Sequence, residues 1–94
     1  MDIKIAQCAR KLRDYRQEMK NALSAHYPDV VVGRPYRMHR EETELAMDVY
    51  SDTIQNAWAA RGLPEVKAVI ARAKEDGYNF ILSFQPKQSM AFIP

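Results

Sequence analysis

The sequence has little of what metal and disulfide chemistry require. Its 94 residues include one cysteine, Cys8, and two histidines, His26 and His39. A single cysteine excludes an internal disulfide and favours a reducing, cytoplasmic setting. A metal site needs His, Cys, Asp or Glu side chains at ligand spacing, and these three residues lie far apart with no CxxC or HxxxH pattern. We therefore expect no metal and no cofactor.

Catalytic and membrane signatures are also missing. The chain contains neither GxxxxGK[ST] nor GxGxxG, and no serine flanked by glycines that would suggest a nucleophile elbow. No apolar run approaches the roughly 20 residues that span a bilayer. The start of the chain, residues 1–4, leads directly into an amphipathic helix instead of a signal peptide. The sequence therefore predicts a protein that is not an enzyme and has no membrane partner.

One long helix is predicted for residues 2–26, because apolar positions recur every three or four residues without an intervening Gly or Pro. The positions on this stripe are Ile5, Cys8, Leu12, Tyr15, Met19, Ala22 and His26. Such a stripe is typical of a core face. The alternative is a seam between two copies of the chain, so the sequence allows a monomer or a homodimer through this helix.

The rest of the chain alternates between strand and helix signals. Val30–Val32 is β-branched and predicts a short strand, and Gly33 after it allows a bulge. Acidic residues followed by a helical stripe predict a second helix over Glu41–Arg61. Gly62 ends it, and Pro64 opens a third helix that extends to about Asp76.

The end of the chain is the most strand-like segment. Alternation of large apolar side chains from Tyr78 to Phe84 predicts a strand, a turn follows at 85–88, and Ser89–Ile93 is predicted to return as a hairpin partner. Val30–Val32 is expected to pair with this hairpin. The predicted order is α-β-α-α-β-β, in a single α+β domain over residues 1–94. Its three helices would pack on a small, mainly antiparallel three-stranded sheet.

Charge is unevenly distributed along the chain. Residues 1–40 contain nine Lys or Arg against four acids, a net +5, whereas residues 41–94 contain five against eight, a net −3. This asymmetry favours an anionic partner, although basic side chains also solvate ordinary helix surfaces. The predicted partner-binding residues lie on the first helix and in the stretch that follows Gly33. They are Arg10, Arg13, Lys20, Arg34, Tyr36, Arg37, His39 and Arg40.

Arg and Tyr side chains at this density indicate an interface, because they combine contact area with directed hydrogen bonds. They also suit a small ribonuclease toxin, in which Arg34, Tyr36, Arg37, His39 and Lys87 would converge and His39 would transfer the proton. A sheet dominated by Phe, Ile, Leu and Val counts against that alternative.

The segment Tyr78–Leu82, the polar turn after it and the ending Met90-Ala91-Phe92-Ile93-Pro94 resemble the C-terminal hairpin of small phage-encoded type I anti-CRISPR proteins. The resemblance covers about 17 of the 94 residues. It implies an inhibitor in the host cytoplasm that binds a CRISPR effector complex and blocks target DNA binding or nuclease recruitment. Many such inhibitors mimic DNA with acidic surfaces, whereas this chain is slightly positive, so it would occupy a protein surface instead.

Two hypotheses follow from the sequence. The first is a non-enzymatic phage or mobile-element inhibitor of a host nucleic-acid-processing complex. Its contacts would be the basic face of helix one with the Arg34–Arg40 stretch, or the acidic start of helix two. The second is direct nucleic-acid binding, with or without RNA cleavage.

Overall fold

The structure is a computed structural model that describes the backbone of residues 3–37 and 44–92, with the side chains of residues 11–37 and 44–90. Its elements, in chain order, are α1 (Ile3–Ser24), β1 (Val31–Val32), β2 (Tyr36–Arg37), β3 (Glu44–Tyr50), α2 (Ala57–Arg61), α3 (Pro64–Glu75), β4 (Asn79–Gln85) and a 3₁₀ helix, η1 (Lys87–Phe92). The α+β class is confirmed, but several predicted elements differ.

Strand β3 is the centre of the sheet. β1 and β2 pair with it antiparallel along one edge, and β4 pairs with it parallel along the other. The parallel pairing requires a crossover, which α2 and α3 provide. Alternate residues of β3, namely Leu45, Met47 and Val49, are buried in the core with Phe80 and Leu82 of β4.

The predicted helix over Glu41–Arg61 is wrong for the residues that the structure describes. Leu45, Met47 and Val49 alternate with Ala46 and Asp48, and this period of two places one face of the strand in the core cluster, while Ala46 and Tyr50 are buried on the other face. Helical structure begins only at Ala57.

The start of α2 is marked by a cap. The side chain of Asn56 accepts hydrogen bonds from the backbone N–H groups of Trp58 and Ala59, at 3.0 and 3.2 Å.

The predicted acidic helix start is also incorrect at Glu44, which opens β3 instead. Glu41 and Glu42 lie outside the described residues.

The predicted C-terminal hairpin does not form. β4 is a strand as expected, but Lys87–Phe92 is a 3₁₀ helix, and the backbone N–H of Ser89 donates to the carbonyl of Pro86 at 3.0 Å. β4 finds its partner in β3 instead, and β1 pairs with β3 as well. Residues 89–92 of the predicted returning strand are therefore helical, and Ile93 lies outside the described residues.

The first helix is confirmed with slightly shorter bounds. Tyr15, Met19 and Ala22 are buried in the core as predicted, while His26 lies beyond the helix and is exposed. Leu23 is fully buried, although the stripe did not include it. Tyr15, Met19 and Ala22 pack within one chain, so this part of the stripe is not free to form a seam with a second copy. The side chains of Ile5 and Cys8 lie outside the described residues, and the homodimer stays a prediction.

Polar contacts attach α1 to α3. The Tyr15 hydroxyl donates to the Asp76 carboxylate, Lys11 pairs with the same carboxylate at 3.6 Å, and Arg72 pairs with Glu18 at 2.9 Å. Burial, together with the bond to Asp76, raises the pKa of Tyr15 to about 12. The bond from Tyr15, followed by the charge of Lys11, lowers the pKa of Asp76.

A second polar cluster fixes the chain where it leaves β3. The Asp29 carboxylate accepts hydrogen bonds from the hydroxyls of Thr53 and Ser51, at 2.6 and 2.7 Å, and from the backbone N–H of Asp52. These bonds, that from Thr53 first, lower the pKa of Asp29 to about 2. The cluster connects the turn after α1 to the start of the crossover.

The edge formed by β1 and β2 contains a bulge. Val32 pairs with Val49 and Tyr36 with Ala46, so three residues of this edge, 33–35, lie opposite two of β3. The extra residue reverses the alternation of side chains. Val32 therefore faces the helices, whereas Tyr36, four residues later, lies on the other face.

The described residues contain no helix long and apolar enough to cross a membrane. Within the same residues, no group of three or more His, Cys, Asp or Glu side chains is placed to hold a metal ion.

Candidate functional site

Three arginines line a cleft between α1 and the bulged edge of the sheet. Arg13 and Arg16 come from successive turns of α1, and Arg34 comes from the bulge. Leu12 and Pro35 complete a cavity of about 400 Å³. We call this the arginine cleft. The bulge makes it possible, because it places Arg34 and Pro35 beside α1.

The arginine cleft differs electrostatically from the neighbouring helix surface. Lys11 and Arg72 each pair with a carboxylate, but none of the three cleft arginines lies within ion-pair distance of a described carboxylate. Among the residues that the structure describes, no acidic side chain lines the cavity. Three guanidinium groups with no described counter-charge create a local positive potential that attracts anions.

Arg16 has a second contact. Its Nε donates a hydrogen bond to the carbonyl oxygen of Val32 at 2.9 Å, and its side chain is partly buried. This bond attaches α1 to the sheet edge and fixes the guanidinium. Arg13 and Arg34 are exposed. A planar guanidinium donates two parallel hydrogen bonds to a phosphate or carboxylate, so the cleft is suited to oxyanions.

Tyr36 lies on the same edge of the sheet, on the face opposite that of Val32, and does not line the cleft. Its side chain is 47% exposed, and its hydroxyl donates to Oδ1 of Asp48 at 3.0 Å. Asp48 also accepts hydrogen bonds from the Tyr50 hydroxyl at 3.4 Å and from Nε2 of Gln85 at 3.3 Å. Desolvation and then the bond to Asp48 raise the pKa of Tyr36. The hydroxyl therefore remains a donor at neutral pH.

The structure brings together some of the predicted binding residues and separates others. Arg13 and Arg34 line the cleft, and Tyr36 and Arg37 follow on β2, both exposed. Lys20 is exposed on α1 but does not line the cleft.

The remaining predicted residues either lie outside the described part of the chain or lie away from the cleft. The side chain of Arg10 and the whole of His39 and Arg40 lie outside the described residues. Lys87 follows β4, on the opposite edge of the sheet from β2, so it does not join Arg34, Tyr36 and Arg37. The constellation predicted for a ribonuclease is therefore not assembled around Lys87.

A second group consists of Trp58, Arg61 and Phe84. Trp58 was predicted to be part of a helical stripe, but it is 78% exposed. The Arg61 guanidinium lies 5.5 Å from the ring centre of Trp58 and 5.6 Å from that of Phe84. Arg61 also donates to the carbonyl of Leu82 at 2.8 Å. Cation–π contacts and this hydrogen bond thus fix an arginine between two aromatic rings.

Sequence reasoning missed the functional potential of Arg16 and Trp58. Arg16 lies three residues after Arg13, and residues three apart on a helix share a face. This spacing could have indicated that Arg16 lies beside Arg13. Trp58 was misplaced because the second helix was predicted too long. The cap residue Asn56, directly before Ala57, was the available sign of a helix start.

Comparisons of the chain with protein-family models, with curated proteins and with solved structures returned no match.

Proposed function

We propose that this protein binds nucleic acid, and that the arginine cleft contacts the phosphate backbone. The observation that supports the proposal is the convergence of Arg13, Arg16 and Arg34 without a described carboxylate to neutralise them. The nucleic-acid backbone presents closely spaced phosphates, so several guanidinium groups can each contact one at the same time. In this proposal the protein acts in the host cytoplasm by binding alone, with no cofactor.

A charge-reversal experiment tests the proposal. Fluorescence anisotropy of a labelled 20-nucleotide strand would compare the wild type with the double variant Arg13→Glu/Arg34→Glu. Both arginines are exposed, so the fold should tolerate the changes. We expect affinity at 50 mM salt to fall about tenfold or more, because two phosphate contacts become repulsions. The labelled strand should remain intact throughout, since no cleavage is proposed.

The matched control places the same charge change elsewhere. Lys67 and Lys74 are exposed on α3 and are not paired with a described carboxylate. Lys67→Glu/Lys74→Glu changes net charge by the same amount and should alter affinity much less. Equal losses in the two double variants would indicate attraction by overall charge and would remove the cleft from the proposal.

A second candidate function is inhibition of a CRISPR effector complex, the activity implied by the resemblance of the C-terminal segment. The exposed Trp58 with the fixed Arg61 favours it, because Trp and Arg dominate the energetics of protein–protein interfaces. The test is target DNA binding by a purified type I effector complex with an excess of this protein. Inhibition that Trp58→Ala removes, and that Arg13→Glu/Arg34→Glu retains, would support this candidate. Undiminished DNA binding would exclude it for that complex.

A further inference from the structure

The outer edge of β4 is an unpaired strand edge in the part of the chain that the structure describes, because β4 pairs with β3 on one side only. The carbonyl of Gln85 accepts a hydrogen bond from the backbone N–H of Ser51 at 3.1 Å, so the backbone groups of Gln85 point towards β3. These directions alternate along a strand, so those of Phe80, Leu82 and Phe84 point away from the sheet. Such a row of N–H and C=O groups is a template for another extended chain.

Arg61 covers the middle of this edge. Its Nη2 donates to the outward carbonyl of Leu82 at 2.8 Å, and its guanidinium lies between the rings of Trp58 and Phe84. A charged side chain at the edge of a sheet opposes pairing with other chains. The edge is therefore closed at Leu82 as long as Arg61 remains on this carbonyl.

A carboxylate can remove this cover. Among the described residues, no carboxylate lies within ion-pair distance of Arg61. A guanidinium bonds a carboxylate more strongly than a neutral carbonyl, because both partners are then charged. An incoming strand with an acidic side chain can therefore take the guanidinium from Leu82, whose carbonyl then accepts an N–H of the new strand. A neutral strand offers no such exchange.

The two faces of the sheet differ in polarity along this edge. On the face that the helices cover, Phe84 packs against the core and its ring contacts Arg61. On the other face, Ile81 is 44% exposed. Because an added strand alternates its side chains between the faces, the matching strand has acidic residues towards Arg61 and apolar residues beside Ile81.

A second copy of the chain does not fit this description. β4 contains no acidic residue, so the β4 strand of another copy has no carboxylate to offer. Pairing of two β4 edges would also bring two Arg61 guanidinium groups together, and like charges repel. The charge of this edge therefore favours a different, acidic partner.

We propose that the outer edge of β4 accepts an extended acidic segment of a partner protein as a fifth strand, and that Arg61 admits this segment by exchanging the Leu82 carbonyl for its carboxylate. Strand addition obtains affinity from main-chain hydrogen bonds and selectivity from alternate side chains. This surface lies on the opposite edge of the sheet from the arginine cleft, and the inference does not depend on nucleic-acid binding.

The experiment uses capped peptides of seven residues, the length of β4. Valine alternates with glutamate, with glutamine or with lysine, and an NMR titration of the isotope-labelled full chain follows the amides of Phe80, Leu82 and Phe84. We expect the glutamate peptide to shift these signals and to slow their hydrogen exchange about tenfold or more at saturation, because the N–H groups become bonded. The glutamine peptide should bind about 5- to 10-fold more weakly, and the lysine peptide more weakly still.

Arg61→Ala tests the exchange. It should remove the preference, so that the glutamate and glutamine peptides bind this variant with equal affinity. Lys67→Ala removes an exposed positive charge from α3 and is the matched control, in which the preference should persist. Arg13→Glu/Arg34→Glu should keep it as well, because these charges lie at the other edge of the sheet.

Methylation of the peptide backbone provides a measurement that needs no variant. Amides of alternate residues in an extended peptide face opposite edges, so only one set can bond β4. Methylation of every valine amide, or of every glutamate amide, should abolish binding in one of the two peptides and spare the other.

Three results would each overturn the proposal. They are equal binding by the two methylated peptides, no shift of the three amides at millimolar glutamate peptide, and a glutamate preference that survives in Arg61→Ala. A failure of nucleic-acid binding would refute the proposed function and leave this inference intact, since the two use different edges of the sheet.

Discussion

The salt dependence of binding gives the sharpest test of the arginine cleft. Each phosphate that a protein neutralises on a single strand adds about −0.7 to the slope of log K against log salt concentration. Three cleft arginines, each at one phosphate, therefore predict a slope of about −2.1. Between 50 and 200 mM salt, affinity should fall by about 18-fold.

Neutral substitutions should reduce this slope by a defined amount. Arg13→Gln/Arg34→Gln leaves only Arg16, so the slope should drop to about −0.7 and the affinity loss over the same salt range to about 2.6-fold. Arg16 is retained because its Nε bond to Val32 also attaches α1 to the sheet. Anisotropy titrations at four salt concentrations are sufficient to measure both slopes.

The matched comparison is Lys67→Gln/Lys74→Gln, which removes the same charge from α3 and should leave the slope near that of the wild type. A wild-type slope near zero would refute phosphate contacts at the cleft. A slope that falls equally in both double variants would show that counterions are displaced by the whole surface, not by three positioned arginines.

Three further predictions concern stability. Met47→Ala, at a side chain with no exposed surface in the centre of the sheet, should lower the free energy of unfolding by about 2–5 kcal/mol in urea titrations, and a loss under 1 kcal/mol would contradict the packing. The pKa of Tyr15 is raised from 10 to about 12, so its stabilisation is complete below pH 10 and lost towards pH 12. Tyr15→Phe, which cannot bond Asp76, should lose less stability over that window, and parallel losses in the two proteins would argue against the bond. The pKa of Asp29 is lowered from 3.8 to about 2, so its stabilisation, with Thr53 as the first donor, is present above pH 3.8 and lost towards pH 2. Thermal unfolding should show a larger acid-dependent loss in the wild type than in Asp29→Ala, which keeps only the contribution of other carboxylates such as Asp76, and an identical pH profile would refute it.

Sequence patterns predicted the elements whose signals are local. The third helix is an example, because Pro64 opens it and its buried residues Val66, Val69 and Ala73 follow helical spacing. The α+β class followed from the same kind of signal. β3 was missed because Met47, Tyr50 and Ile54 also fit a helical period, and only tertiary pairing decided between the two.

The arginine cleft was partly predictable. Basic residues in the first helix and near Gly33 were recognised, since composition and spacing are visible in the sequence. Their convergence depends on how α1 lies against the bulged edge, and on a one-residue offset in strand pairing that no local pattern fixes. Sequence reasoning therefore found Arg13 and Arg34, but not the cavity they share.

The parallel pairing of β3 with β4 has a consequence for the order of synthesis. Every paired residue of β4 lies 35 positions after its partner, from Glu44 with Asn79 to Tyr50 with Gln85. A ribosome that has released the chain only as far as α3 has therefore exposed a central strand with one edge still unpaired. Until β4 emerges, the apolar side chains Met47 and Val49 lack part of their core. We expect the sheet of the nascent chain to form in a single step once β4 becomes available to pair with β3.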